Sequence, residues 1–227
     1  MSFRLIPAGT GSALACYAAS PLRLASLSYA FGAPTPTPVQ LHGGCVVAGG
    51  TPRLASLDAL CGFCRLSSAE TVVLGFSESD TLSALCHALN RRGLRTVVPE
   101  AVWQESLSAA CLVSSAVSGG TLRERLCDAK RKYGTVLLDL ERISRRFSLP
   151  CADGCGTPVP VSTLNRARAV FSEELQCKVI WEDRGADSSC ILFDDAESLR
   201  SKAGLAESCG ITEGFALLSE WTPSDLL

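Results

Sequence analysis

The chain has 227 residues, 47% of them hydrophobic, which is enough to furnish one sizeable core. Its 21 basic and 23 acidic residues leave a net charge of −2, so there is no electrostatic footprint for nucleic acid or an anionic membrane surface. No apolar stretch reaches the roughly 18 residues of a membrane span, and the start, interrupted by Pro7, Gly9 and Gly11, does not read as a secretory leader; a cytoplasmic protein is expected.

In chain order, a strand is expected at Arg4 to Pro7, followed by Gly9-Thr10-Gly11-Ser12. That glycine pattern has neither the lysine of a phosphate loop nor a completed GxGxxG. A strand at Leu27 to Phe31 runs into Ala33-Pro34-Thr35-Pro36-Thr37-Pro38, an extended loop too short for a domain linker. His42-Gly43-Gly44 reads as a turn before a strand at Cys45 to Ala48, and a helix is expected from Ser56 to Leu66. A strand at Thr71 to Phe76 ends at Ser77-Glu78. Gly75-Phe76-Ser77-Glu78-Ser79 imitates a nucleophile elbow, but the closing glycine is missing and no histidine follows His87 to complete the serine, acid, histidine order. The next helix takes Asp80 as its cap, turns Leu82, Leu85, Cys86 and Leu89 inward and stops at Gly93. His87 lies beside these apolar positions and is expected to be packed.

A strand at Leu94 to Pro99 ends at Glu100, and Thr121 with Glu124 makes a capping box before the helix of Leu122, Leu126 and Ala129. The apolar run from Tyr133 to Leu138 then ends in Asp139-Leu140-Glu141. Residues i and i+2 of a strand point to the same face, so the two carboxylates share one side. No helical pattern starts directly after Glu100, Asp139 or Glu141, so none of them reads as a cap. The stretch from Ser148 to Leu164, with Pro150, Pro158 and Pro160, reads as a long loop. Strands at Lys178 to Trp181 and Cys190 to Phe193 end in acid, and Asp195 caps a helix from Ala196 to Cys209 that Gly210 stops. A last strand, Phe215 to Ser219, ends at Glu220. Alternating strands and helices imply a mostly parallel sheet covered by helices, and the strand count approaches about eight. The expected fold class is α/β, a small or incomplete (β/α)8 TIM-like barrel with parallel strands and outer helices, as a single domain over 1–227.

The 12 cysteines lie mostly where small hydrophobes would, as Cys45, Cys86, Cys127, Cys177 and Cys190 do. Cys61-Gly62-Phe63-Cys64 has redox spacing but sits inside a helical stripe rather than at a helix start. Combined with Cys151 and Cys155 it would make a four-cysteine zinc site of loose spacing. Neither a metal nor a cofactor is expected. With two histidines in the chain and no nucleophile beside them, the chemistry that remains is carboxylate chemistry.

That chemistry carries a resemblance. The strand ending Asp139-Leu140-Glu141 resembles the fourth strand of the glycoside hydrolase family 18 barrel, whose motif reads DGxDxDxE. Leu27-Ser28-Tyr29-Ala30-Phe31 resembles that family's second-strand NYAF segment. Phe193-Asp194-Asp195-Ala196-Glu197-Ser198-Leu199-Arg200-Ser201-Lys202, with Gly210 and the run from Gly214 to Trp221, resembles its closing YDDpeSixxK … G … W unit. The resemblance implies that Glu141 protonates a glycosidic oxygen and that Asp139 orients the substrate's N-acetyl group, whose carbonyl oxygen is the nucleophile. Such a substrate contains N-acetylhexosamine. Tyr29, Glu100, Trp103, Trp181, Asp194 and Trp221, all at or near strand ends, are the expected substrate-binding residues.

The match is divergent. Gly134, Thr135 and Leu137 stand where the motif has its first Asp, its Gly and its middle Asp. The chain between Glu141 and Phe193 is short for elaborated fifth and sixth strands, which implies a trimmed groove. Two readings therefore stay open: a reduced glycosidase, and a catalytically inactive barrel serving as a glycan- or protein-binding module. The three tryptophans fit either stacking on sugar rings or packing at the rim.

Overall fold

The computed structural model describes residues 3–17, 20–75, 81–117, 119–151, 154–182 and 188–221, and within it eight parallel strands close into a barrel. Seven follow in chain order around the ring: β1 (Arg4–Gly9), β2 (Ala25–Phe31), β3 (Cys45–Gly50), β4 (Thr71–Leu74), β5 (Arg95–Pro99), β6 (Ala110–Ser114) and β7 (Val136–Asp139). The chain then leaves the ring for an antiparallel sheet of β8 (Ser144–Ser148), β9 (Thr157–Pro158), β10 (Val170–Ser172), β11 (Cys177–Glu182) and β12 (Ser189–Phe193). It returns as β13 (Glu213–Leu217), which pairs with β7 on one side and β1 on the other. The helices are α1 (Gly11–Leu14), α2 (Leu57–Leu66), α3 (Leu82–Asn90), α4 (Leu122–Tyr133) and α5 (Ala196–Ser208).

Strand alternation divides the apolar residues into two layers. Ile6, Ala8, Ala25, Cys45, Val73, Val97, Ala110, Leu137 and Phe215 fill the barrel interior. Their neighbours in sequence face outward. Val46, Ala48, Val72, Leu74 and Val98 pack beneath Phe63 of α2 and Leu85 and Leu89 of α3. Cys111, Val113, Val136, Leu138 and Ala216 meet Leu122, Leu126 and Ala129 of α4 and Leu199 and Ala206 of α5. Each fully buried side chain of this size contributes about 1.5–3 kcal/mol. Where no α-helix covers the wall, turns do: Leu24 and Leu41 lie over the β2–β3 side, and Val102, Trp103 and Leu107 from two 3-10 turns cover β5 and β6.

Local signals explain the helix limits. Thr121 Oγ1 accepts from the backbone N–H of Glu124, and Asp195 Oδ1 accepts from that of Ser198. Each supplies a partner to a first-turn amide that the helix cannot satisfy itself. Gly134, just past α4, has φ +67°, a conformation that a side chain would strain.

The structure corrects several expectations. The expected TIM-like barrel stands, with all eight strands present in a closed sheet and, among the described residues, a reduced ring of helices. The segments around Lys178 and Cys190 are not barrel strands but part of the antiparallel sheet, and Ala110–Ser114 is a barrel strand the sequence reading lacks. Asp139 therefore ends the seventh barrel strand, not the fourth, and the stretch after Glu141 needs no fifth or sixth strand. The stretch from Ser148 to Leu164 is a loop that carries the short β9 and one 3-10 turn. Glu100 does begin a helical segment, the 3-10 turn Glu100–Val102. His87 is exposed on α3 rather than packed. The elbow-like serine and the Asp80 cap lie outside the described residues.

Candidate functional site

The inward parity of β7 continues past its end. Val136, Leu138 and Leu140 belong to the outer layer and Leu137 to the interior, so Asp139 and Glu141 follow Leu137 on the inner side. Because all eight strands are parallel, the carboxyl ends of β6, β7 and β13 meet at one mouth, with Ser114 and Phe215 each in register with Asp139. Ser114 donates to Glu141 Oε2 at 3.0 Å. Glu220, three residues beyond β13, brings a third carboxylate to the same rim. A mouth of this kind is where parallel barrels gather functional groups.

Burial and neighbouring charge raise two of the three carboxyls, Asp139 and Glu220. Burial, with Glu141 and Glu220 adding to it, pushes the Asp139 carboxyl up to about 7. Its Oδ1 is sealed from solvent without a hydrogen-bond partner among the described residues. Burial also raises the Glu220 carboxyl; the backbone N–H of Arg142 partly opposes this, and Glu141 adds to it. At neutral pH the cluster therefore holds a proton that isolated carboxylates would have lost.

Arg142 ties the rim together. Its backbone N–H donates to Glu220 Oε2 at 2.9 Å, its guanidinium donates to the carbonyl oxygens of Glu220 and Asp194, and the guanidinium lies 5.0 Å from the centre of the Trp221 ring. Trp221 is 1% exposed, and its indole N–H donates to Leu140 O at 2.9 Å. It packs in the outer layer rather than presenting a face to the mouth. Asp194 is fully buried: its Oδ2 accepts from Lys202 Nζ at 2.7 Å and from the Ile143 N–H at 2.9 Å. These two expected substrate contacts thus serve as supports for the rim.

The remaining expected contacts lie elsewhere. Tyr29 is buried against Phe31 and Phe63, outside the barrel wall. Glu100 accepts from Arg125 and from the Tyr133 hydroxyl on α4, and the Arg125 guanidinium holds its carboxyl below the usual range. Trp103 stacks edge-on against Tyr133, with its N–H on Ala109 O. Trp181 is 60% exposed on the antiparallel sheet, lining a cavity of about 380 Å³ with Phe147, Val179 and Leu192. Of the expected site residues, only Asp139 and Glu141 meet at the mouth. Sequence reasoning missed Ser114 and Glu220 as partners, and Arg142, which adjacency suggested as a neighbour for Glu141, engages Glu220 instead; the acid after the last strand was the available signal for Glu220. Cys61 and Cys64 sit on α2, and among the described residues no group of three or more potential metal ligands forms.

No protein-family model matches the sequence, and no curated protein does. Solved structures do match in three dimensions. The spore cortex-lytic enzyme SleL of Bacillus cereus is 13% identical, with a TM-score of 0.63 over 99% of this chain and 74% of that one. A glycoside hydrolase family 18 chitinase from Cycas revoluta, in complex with (GlcNAc)3, is 13% identical, with a TM-score of 0.62 over 99% of this chain and 97% of that one. SleL of Bacillus megaterium gives 0.58 at 13% identity, over 95% of this chain and 70% of that one. The fold is a divergent barrel of the glycoside hydrolase family 18 type. At these identities the likeness carries the fold and leaves the chemistry to the residues.

Proposed function

We propose that this chain acts on a glycan containing N-acetylhexosamine, bound across the carboxyl-end mouth of the barrel, with Glu141 as general acid and Asp139 orienting the N-acetyl group. The observation that carries the reading is the carboxyl pair on the inner side of β7, in which Asp139 keeps its proton to about pH 7. Acid catalysis of glycoside cleavage needs a proton held at working pH, and in this reading the Asp139 proton is passed to Glu141, which delivers it to the glycosidic oxygen. The neighbouring Ser114 hydroxyl supports the orientation of Glu141, and the likeness to a chitinase in complex with (GlcNAc)3 supports the ligand class. Because the pair sits on the seventh strand, these roles rest on local chemistry and not on correspondence with the family's fourth strand.

One observation favours a second reading, a non-catalytic glycan-binding barrel. β4, the strand at which the family resemblance would set the catalytic motif, reads Thr71-Val72-Val73-Leu74 and is buried and without acid throughout. The next acid in the sequence, Glu78, lies outside the described residues. The readings separate in one experiment: hydrolysis of a fluorogenic N-acetylchitooligosaccharide by the wild type, Glu141→Gln, Asp139→Asn and Glu78→Gln, with calorimetric binding measured alongside. The catalytic reading expects turnover that falls by about 100-fold or more in Glu141→Gln with affinity retained. Turnover unchanged in Glu141→Gln and lost in Glu78→Gln would move the acid to the segment after β4. Binding without any turnover in the wild type would leave the second reading.

A further inference from the structure

Among the cysteines, most are sequestered. Cys45, Cys64, Cys86, Cys111 and Cys177 are buried, and burial pushes the Cys64 thiol up to about 12. Cys61 is engaged by the Arg92 guanidinium at 3.2 Å. One pair differs from all of these. Cys127, in the middle of α4, and Cys209, at the carboxyl end of α5, bring their sulfur atoms to 2.8 Å, and both side chains are part-exposed. A disulfide needs about 2.0 Å between sulfurs, so a further approach of about 0.8 Å closes the bond.

We propose that Cys127 and Cys209 form an oxidation site, a reversible disulfide that staples α4 to α5 on the outer wall of the barrel. The co-reactant is a small-molecule disulfide such as oxidised glutathione. One thiolate attacks it, forming a mixed disulfide and releasing one reduced thiol. The second cysteine then displaces the other half, so two thiols lose two protons and two electrons, and one disulfide of the reagent becomes two thiols. The part-exposed position lets the reagent reach the pair, and the anchored helices hold the second thiol in place for the displacement. Cys209 carries a thiol pushed up to about 11 by burial and by Cys127, so the exchange speeds up as pH rises from 7 to 9.

The site lies apart from the glycan reading and does not depend on it. The bond would close the chain from 127 to 209, a loop containing β7, Asp139, Glu141 and the whole antiparallel sheet. Cross-linking so long a loop constrains the unfolded chain strongly. The test is incubation of the wild type with oxidised glutathione, followed by non-reducing tryptic mapping and thermal melting. The expected result is a mass loss of about 2 Da, the peptide 126–130 joined to the peptide beginning at Ala203, and a melting temperature raised by roughly 5 °C or more. Dithiothreitol should reverse all three, and Cys127→Ser and Cys209→Ser should each abolish the link. A map showing stable glutathione adducts at these positions, a link between other cysteines, or no oxidation would overturn the proposal.

Discussion

At the scale of single residues, the Asp139 carboxyl is the group with most at stake in pH. An unfolded chain loses an aspartate proton near 3.9, whereas the folded chain keeps the Asp139 proton to about 7. Between those values the folded state binds the extra proton. Its contribution to stability is therefore fully present below pH 4 and is lost as pH rises through about 7. A difference of that size is worth about 4 kcal/mol at most. Asp139→Asn keeps the shape and removes the charge. It should match the wild type at pH 4 and exceed it by about 2–4 kcal/mol at pH 8, as read by urea titration at the two pH values. Equal stability at pH 8 would show that Asp139 ionises without penalty, and the proton-holding role would go with it. A second residue-scale outcome concerns activity. If the cluster is catalytic, turnover should fall as pH rises through about 7, where Asp139 loses its proton, and Asp139→Asn should lose that alkaline limb in a pH–rate profile.

At the scale of elements, the join between the antiparallel sheet and α5 is made by the Lys178–Glu197 ion pair at the surface, a Ser201–Gln176 hydrogen bond and one buried ion pair, Asp194–Lys202. Asp194 directly follows β12, Lys202 sits two turns into α5, and Lys202 is 1% exposed. Burial raises the Asp194 carboxyl even with Lys202 beside it. Lys202→Met would leave that carboxylate with the Ile143 N–H and lose its counter-charge, a change that costs about 3–5 kcal/mol. A urea midpoint unchanged in Lys202→Met would mean that the pair contributes nothing net. This element also marks the limit of what sequence could tell. Caps and stops were legible because they act within four residues: Thr121, Asp195, Gly93 and Gly210 all mark real boundaries. Strands were legible as apolar runs, but the run does not say which sheet it joins. Cys177–Glu182 and Ser189–Phe193 look like barrel strands until their antiparallel pairing with each other is known. Ala110–Ser114 is too rich in small residues to register, with Ala, Cys and Ser beside only Leu112 and Val113. The candidate site divides the same way. Asp139 and Glu141 were placed together because strand parity is local. Ser114 and Glu220 reach them only through the pairing of β6 and β13 with β7, which no local pattern encodes.

At the scale of the whole molecule, the antiparallel sheet is an excursion from a closed ring, and how tightly it is rooted decides whether the chain unfolds as one body. Its own core is small: Ile143, Phe147, Cys177, Val179, Cys190 and Leu192 on one face, with Ile180, Ile191 and Phe193 on the other. A unit of about 50 residues buries too little to stand alone comfortably. Its neck, however, is clamped twice: Asp194 N–H donates to Ile143 O at 2.9 Å, and Ile143 N–H donates to the Asp194 carboxylate at 2.9 Å. A third tie reaches the ring of helices, where the Leu122 N–H at the start of α4 donates to Glu174 O at 2.8 Å. Arg142 then carries the neck into the mouth through Glu220 and Trp221. With its roots shared with α4, α5 and β13, the sheet should lose its structure when the barrel does, in one cooperative step. Hydrogen exchange followed by mass spectrometry across a urea series reads this directly, comparing peptides from β8 and β11 with peptides from β3 and β5. Coincident midpoints are expected, and Lys202→Met should lower both together. Sheet peptides that open at lower urea than barrel peptides would show an excursion that folds and melts by itself, and the mouth would then lose its Arg142 support before the ring opens.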